Sequence, residues 1–250
     1  MDSIAELRAS LGRAMDGGDP TMSPADRLCF ACVDLFDVDG AAISLMLEGS
    51  SQGTFGSSDG LSRQLDEFQF TFGEGPCMDA VRDGPVFAAN IADGAETRWP
   101  AFVGSASALG VGAVFALPIS LANSFVGALD LYRHAPGPLL GNSLVGGLMV
   151  AELAALPLLD MISAQAELAT SGQDEPAWKQ LKSLARVEVY QATGMVMVQL
   201  GVGPAEALAR LRAHAFAQGL TASQVAWSIV ERELSLEADT ERTDPGQGHP

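Results

Sequence analysis

AVFALPISLANSFVGALDLY, Ala113 to Tyr132, is the stretch that decides how this chain folds. Two runs rich in Val, Phe, Ile and Leu, AVFALPI (Ala113–Ile119) and FVGALDLY (Phe125–Tyr132), flank the short polar connection SLANS (Ser120–Ser124). That pattern predicts two strands joined as an antiparallel hairpin. Working outward, AAISLML (Ala41–Leu47) and VFAAN (Val86–Asn90) read as further strands. Between them PADRLCFACVDLF (Pro24–Phe36), GPCMDAVRD (Gly75–Asp83) and RWPAFVGSASALG (Arg98–Gly110) carry helical patterns. Strands and helices mixed around a hairpin predict an α+β domain built on an antiparallel sheet with flanking helices.

A long helix, from about Leu140 to Ala169, is expected to lead out of this domain. Within it LVGGLMVAELAALPLLDMI (Leu144–Ile162) has the length of a membrane span. Glu152, Pro157 and Asp160 interrupt that run with charges and a helix breaker, so a buried or dimer-forming helix is expected and no membrane partner. Leu144, Leu148, Leu153 and Leu159 suit a helix–helix interface.

Beyond it, TSGQDEP (Thr170–Pro176) is a polar breaker cluster and reads as a linker. Pro176 opens a helix that Gly201 closes, and Pro204 opens a second that Gly219 closes. Thr221 and Gln224 form a T-x-x-Q capping box opening a third, to about Leu234. Apolar residues recur at helical spacing in each: Leu181, Leu184, Val189, Val196 and Leu200; Leu208, Leu211 and Ala215; Val225, Ile229 and Val230. The expected organisation is an N-terminal helical segment (1–23), the α+β domain (24–160), a connecting helix end and linker (161–176), a small three-helix bundle (177–236) and a disordered acidic tail (237–250).

Charge divides the chain the same way. The net charge of −17 is distributed as −16 from Met1 to Ala177, +2 from Trp178 to Leu234 and −3 over the tail. An acidic surface repels phosphate, so only the Trp178–Leu234 segment escapes the argument against a nucleic-acid partner. Cys29, Cys32 and Cys77 are an odd number in a chain of 250 residues, which fits a reducing cytosol better than a disulfide framework. The first residues, DSIAELRASLGRAM (Asp2–Met15), lack the basic start and apolar run of a signal peptide, and a cytoplasmic location is expected.

Metal and nucleophile chemistry look poor. Cys29 and Cys32 lie one helical turn apart beside Leu28, Val33 and Phe36, as small buried thiols do. His134, His214 and His249 are scattered, so neither a metal nor a cofactor is expected. Cys77, in GEGPCMDA at a helix start, is the one candidate for an activated thiol, since a helix N-terminus lowers a thiol pKa. Gly73 and Gly75 match no phosphate-cradling motif.

The residues themselves resemble two known families. FTFGEGPCMDAVRDGPVFAANI (Phe70–Ile91), RWPAF (Arg98–Phe102) and GVGAVFALPIS…FVGALDLYR (Gly110–Arg133) resemble a GAF domain, a small α+β sensory module, over about Asp26 to Asp160. The resemblance implies a pocket for a small-molecule ligand or a surface for a partner protein. The Asn-Lys-Phe…Asp-Glu pattern of cyclic-nucleotide-binding members is absent. From Lys182, KSLARVEVYQATGMVMVQLGVGPAEALARLRAHAFAQGLTASQVAWSIVER resembles an ANTAR domain, the three-helix RNA-binding module of transcription antiterminators. The matching positions are Arg186, Ala192, Gly194, Met197, Glu206, Ala207, Leu211, Arg212, Ala215, Val225 and Ala226. Where that family usually carries a basic residue, this chain has Thr193. The resemblance implies binding to stem-loops in leader transcripts, prevention of termination, and a homodimer as the active form.

RNA recognition asks for charge toward the backbone and flat or hydrogen-bonding side chains toward splayed bases. Lys182, Arg186, Arg210 and Arg212 supply the charge; Tyr190, Gln191, Thr193 and His214 are candidate base or sugar contacts. Helical spacing predicts one surface sector for Lys182, Arg186, Tyr190 and Thr193, with Arg210 and His214 one turn apart. Gly194 costs its helix about 1 kcal/mol relative to alanine, and a close approach by a helix or an RNA backbone would account for it. A regulator rather than an enzyme is expected. Two alternatives stand beside it: a thiol-dependent reductase using Cys77 with Cys29 or Cys32, and a protein-interaction module without RNA binding.

Overall fold

A computed structural model describes residues 4–17, 22–47, 50–122, 124–168 and 186–236. The chain forms two compact units, Met1–Arg186 and Val187–Pro250.

In the first unit, helices α1 (Ile4–Gly17) and α2 (Pro24–Leu35) precede strands β1 (Gly40–Leu47) and β2 (Ser50–Ser57). Then come α3 (Gly60–Phe72), α4 (Pro76–Asp83), β3 (Val86–Ala88), α5 (Pro100–Ala108), β4 (Ala113–Leu121), β5 (Ser124–Arg133) and α6 (Gly141–Leu168). The sheet runs β2-β1-β5-β4-β3 with every neighbouring pair antiparallel. The expected hairpin is present, paired from Leu121↔Ser124 to Ala113↔Arg133.

Strand alternation gives the sheet two unlike faces. Ala41, Ile43 and Leu45 of β1, Phe115, Leu117 and Ile119 of β4, and Leu129 and Leu131 of β5 point to one side, into a core completed by α1, α2 and α6. The intervening residues point the other way, toward α3, α4 and α5. There Val114, Ala116 and Tyr132 join Trp99, Phe102 and Ile91, but Ser44, Thr54 and Asp130 bring polar atoms beneath the sheet.

Two elements were illegible in the sequence. SSQGTFGS (β2) has almost no apolar alternation, and among its described residues Phe55 alone joins the apolar core. GLSRQLDEFQFTF (α3) buries Ser62, Asp66, Gln69 and Thr71 along with Leu65 and Phe70, so its inner face is half polar and its helical period is blurred. The strand expected at Val86–Asn90 stops at Ala88.

Helix α6 matches the expected long helix. Its segment Gly141–Leu159 is long and apolar enough to cross a membrane, with mean hydropathy 1.6. Met149, Val150, Ala151, Ala154, Ala155 and Leu158 are nonetheless buried in the sheet's apolar core. Leu148, Leu153, Leu156 and Leu159 stay exposed on its remaining surface.

The second unit contains α7 (Val187–Leu200), α8 (Pro204–Gln218) and α9 (Ala222–Val230). Val189, Ala192, Thr193 and Val196 form the inward stripe of α7 at i, i+3, i+4, i+7, against Ala207, Leu211 and Ala215 of α8 and Val225, Ala226 and Ile229 of α9. The capping box is made: Gln224 N–H donates to Thr221 Oγ1 at 3.2 Å, and Thr221 N–H to Gln224 Oε1 at 2.8 Å. The predicted linker at 170–176, the helix start at Pro176, Lys182 and the tail at 237–250 lie outside the described residues.

Candidate functional site

The polar face of the sheet converges on Asp66, near the middle of α3. Its Oδ1 accepts from Ser44 Oγ at 2.6 Å and its Oδ2 from Thr54 Oγ1 at 2.5 Å, which bolts α3 to β1 and β2. Arg186 donates from Nη2 to Asp66 Oδ2 at 2.9 Å and from Nε to Glu67 Oε1 at 3.1 Å. Its guanidinium carbon lies 4.1 Å from the centre of the Phe70 ring, a cation–π stack. Burial opposes the charge on Arg186, but Asp66 and Glu67 outweigh it and hold the guanidinium firmly protonated.

A second carboxyl sits alongside. Asp130, on β5, accepts from Gln69 Nε2 at 2.6 Å, while its buried Oδ1 has no hydrogen-bond partner. Burial, and then the charge of Asp66, raise Asp130 from its ordinary range to about 8, despite the bond from Gln69. At neutral pH this carboxyl is therefore mostly protonated. Gln69 spans the site, its Oε1 accepting the Cys77 backbone N–H at 2.7 Å. Gly75, at φ +149°, permits this, because a Cβ there would overlap the Gln69 side chain. A cavity of about 10 Å³, room for about one water molecule, is lined by Gln69, Asp130, Tyr132 and Phe102 among others.

Among the described residues, Asp66, Cys77 and Asp130 bring potential metal-donor atoms within 4.8 Å of one another. Arg186 already supplies countercharge to Asp66 there. Cys77, the candidate for an activated thiol, is 1% exposed and packed with Met46 and Ala128. Burial, and then Asp130 and Asp66, push its pKa well up, overriding the helix N-terminus. Cys29 and Cys32 are also fully buried and shifted upward, chiefly by burial. None of the three is poised as a nucleophile.

The RNA candidates separate on inspection. The single sector expected for Arg186, Tyr190 and Thr193 does not form. Arg186 is 4% exposed and belongs to the first unit, bound as described. Thr193 is 9% exposed and donates its hydroxyl to Val189 O at 2.7 Å. The reason is angular: Thr193 follows Ala192 and lies one turn past Val189, so it falls on the inward arc of α7. The outward arc instead holds Tyr190, Gln191, Gly194 and Val198, with Tyr190 54% and Val198 86% exposed. An added Cβ at Gly194 would meet nothing within 4 Å, so helix packing within the described structure does not account for this glycine. On α8, Arg210 and His214 are half-buried one turn apart, and Arg210 pairs with Glu206 at 3.0 Å; Arg212 is also half-buried.

Asp66, Glu67, Phe70, Gln69 and Asp130 escaped the sequence reading. One signal was available: Asp130 is a lone charge inside an apolar strand, between Leu129 and Leu131.

Fold and geometry thus define a class: an α+β unit built on a five-stranded antiparallel sheet, followed by a helical unit. Residues 179–230 match the family model of the ANTAR domain, so the chain carries an ANTAR domain after the α+β unit. Among solved structures, the chain is similar to the GAF domain of a phosphoenolpyruvate-protein phosphotransferase from Acinetobacter, with 14% identity, 66% of this chain and 99% of that one covered, and a TM-score of 0.49. It is similar to the corresponding GAF domain from Coxiella burnetii at 15% identity, with 66% and 99% covered and a TM-score of 0.49. It is also similar to a type II free methionine-R-sulfoxide reductase from Thermoplasma acidophilum, at 11% identity, with 60% and 96% covered and a TM-score of 0.42. No curated protein matches the chain.

Proposed function

We propose that this protein is a cytoplasmic, signal-responsive RNA-binding regulator that binds hairpins in nascent transcripts and prevents transcription termination. The observation that carries this reading is the ANTAR match over 179–230, in the one segment of the chain whose net charge is not negative. Tyr190, Gln191 and Gly194 form the base-facing surface on α7, and Arg210, Arg212 and His214 the neighbouring contacts on α8. The exposed glycine backbone beside an aromatic ring admits a splayed base or a phosphate closely. Lys182 adds charge from the segment before α7. Because so few cations are available, each RNA contact is weak, and affinity comes from two copies reading two hairpins. The exposed Leu148, Leu153, Leu156 and Leu159 of α6 provide the homodimer contact. The GAF-like unit acts as sensor for a small molecule or a partner protein.

Binding of a two-hairpin leader RNA at moderate salt tests this reading. Arg212→Ala and Gln191→Ala are expected to weaken it about tenfold each; absence of binding in every assembly state refutes it.

A further inference from the structure

Arg186 presents a contradiction that the proposed function leaves open. It falls inside the segment matched as an ANTAR domain, yet its guanidinium is spent within the first unit, on residues 116 to 120 positions earlier in the chain. Asp66 and Glu67 offer it anionic oxygens at 2.9 and 3.1 Å, and Phe70 offers a flat π face at 4.1 Å. An RNA loop offers an arginine the same two things, phosphate oxygens and the face of a base. The pocket is thus a protein-built imitation of an RNA contact.

Stability alone is a weak reason to build it. Burying charges removes them from water, and well-packed apolar residues usually serve a core as well or better; retained buried pairs are best attested where they set a register or a switch. Arg186 is also the last residue of its compact unit, and α7, which carries the candidate RNA surface, begins at the next residue.

We propose that Arg186 is a latch: held by Asp66, Glu67 and Phe70 it is withheld from RNA, and the released form is the one that binds RNA tightly. The inference rests on the RNA-binding function proposed above and names its regulation. The sensor's acidic surplus, −16 over Met1–Ala177, favours the held form and competes with RNA phosphate for the same guanidinium. Any signal that withdraws a carboxylate from Arg186 shifts the balance toward release.

Glu67→Gln in the full-length protein tests the latch, because it weakens one arm while Arg186 and the Asp66 network remain. Two readouts are taken: the rate at which phenylglyoxal modifies Arg186, followed by mass spectrometry, and the affinity for the two-hairpin RNA. Arg186 is expected to react faster and RNA to bind about fivefold or more tightly than in the unaltered protein. Adding Arg186→Ala to Glu67→Gln is expected to abolish that gain. RNA binding that is unchanged or weaker in Glu67→Gln, while the unaltered protein binds RNA, overturns the latch alone. Absence of RNA binding in all three proteins overturns the regulator reading, and the latch with it. Should Glu67→Gln lose its fold by circular dichroism, Phe70→Leu, which removes the stack but keeps Arg186 and both carboxylates, is read in the same two ways.

Discussion

The two faces of the five-stranded sheet are made from alternate residues of the same strands, yet they are built by different rules. Leu129 and Leu131 join residues of α2 and α6 in an apolar core, while Asp130 between them enters a layer of hydrogen bonds shared by Asp66, Gln69, Ser44 and Thr54. The apolar face is non-directional and tolerates repacking. The polar face is directional, and each of its members depends on the others.

The sharpest break of that contrast is Asp66→Ala. It strands Arg186 without its shorter ion pair and frees two hydroxyls, so a loss of about 3–5 kcal/mol is expected by urea unfolding. Leu129→Ala, its counterpart on the apolar face, costs about 2–5 kcal/mol. The distinction appears in compensation: Asp66→Leu with Arg186→Met should recover much of the Asp66→Ala loss, since the two most buried charges are then removed together and Glu67, which loses its ion pair with Arg186, is partly exposed. A double variant no more stable than Asp66→Ala would show that the two faces do not differ in this way.

Asp130 makes the contrast depend on pH. Its folded pKa of about 8 lies above the ordinary carboxylate range, so between about pH 4 and pH 8 the folded protein binds more protons than the unfolded chain. The contribution is fully present below pH 4 and is lost as pH rises through 8. Asp130→Asn keeps the acceptor for Gln69 and cannot ionise. It should change stability little at pH 5 and raise it by about 1–3 kcal/mol at pH 8.5, flattening the profile. A profile identical to that of the unaltered protein would place Asp130 in the ordinary range. On the apolar face, Leu129→Val should shift stability equally at both pH values.

The apolar face was the legible one. Ala113–Tyr132 announced its hairpin because Phe115, Leu117, Leu129 and Leu131 alternate with period two, and burial of one face imposes that period on a sequence. The polar face blurs the period: β2 and α3 pack through Thr54, Ser62, Asp66 and Gln69, which read as surface residues until their partners are known. Arg186 was expected to face RNA, but its guanidinium is bound by carboxylates 119 and 120 residues away, and no local spacing reveals that. Thr193 misled for a simpler reason: a threonine can satisfy its hydroxyl on the carbonyl one turn back and lie among core residues, as the bond to Val189 shows.

The smallest expected effect, at Gly194, asks whether the helical unit also separates a stabilising face from a recognising one. Val189, Ala192 and Val196 are its stabilising stripe, and Tyr190, Gly194 and Val198 lie outward at i, i+4, i+8. Gly194→Ala meets no neighbour within 4 Å, so it should gain helix propensity without a clash and stabilise the unit by up to about 1 kcal/mol. If an RNA backbone or base approaches that outward arc, the same methyl group should weaken binding severalfold while the protein becomes more stable. The two changes then have opposite signs, which a merely structural glycine does not produce. Unchanged RNA affinity in a stabilised Gly194→Ala protein would move the recognition surface off α7 and onto α8, where Arg212 and His214 remain.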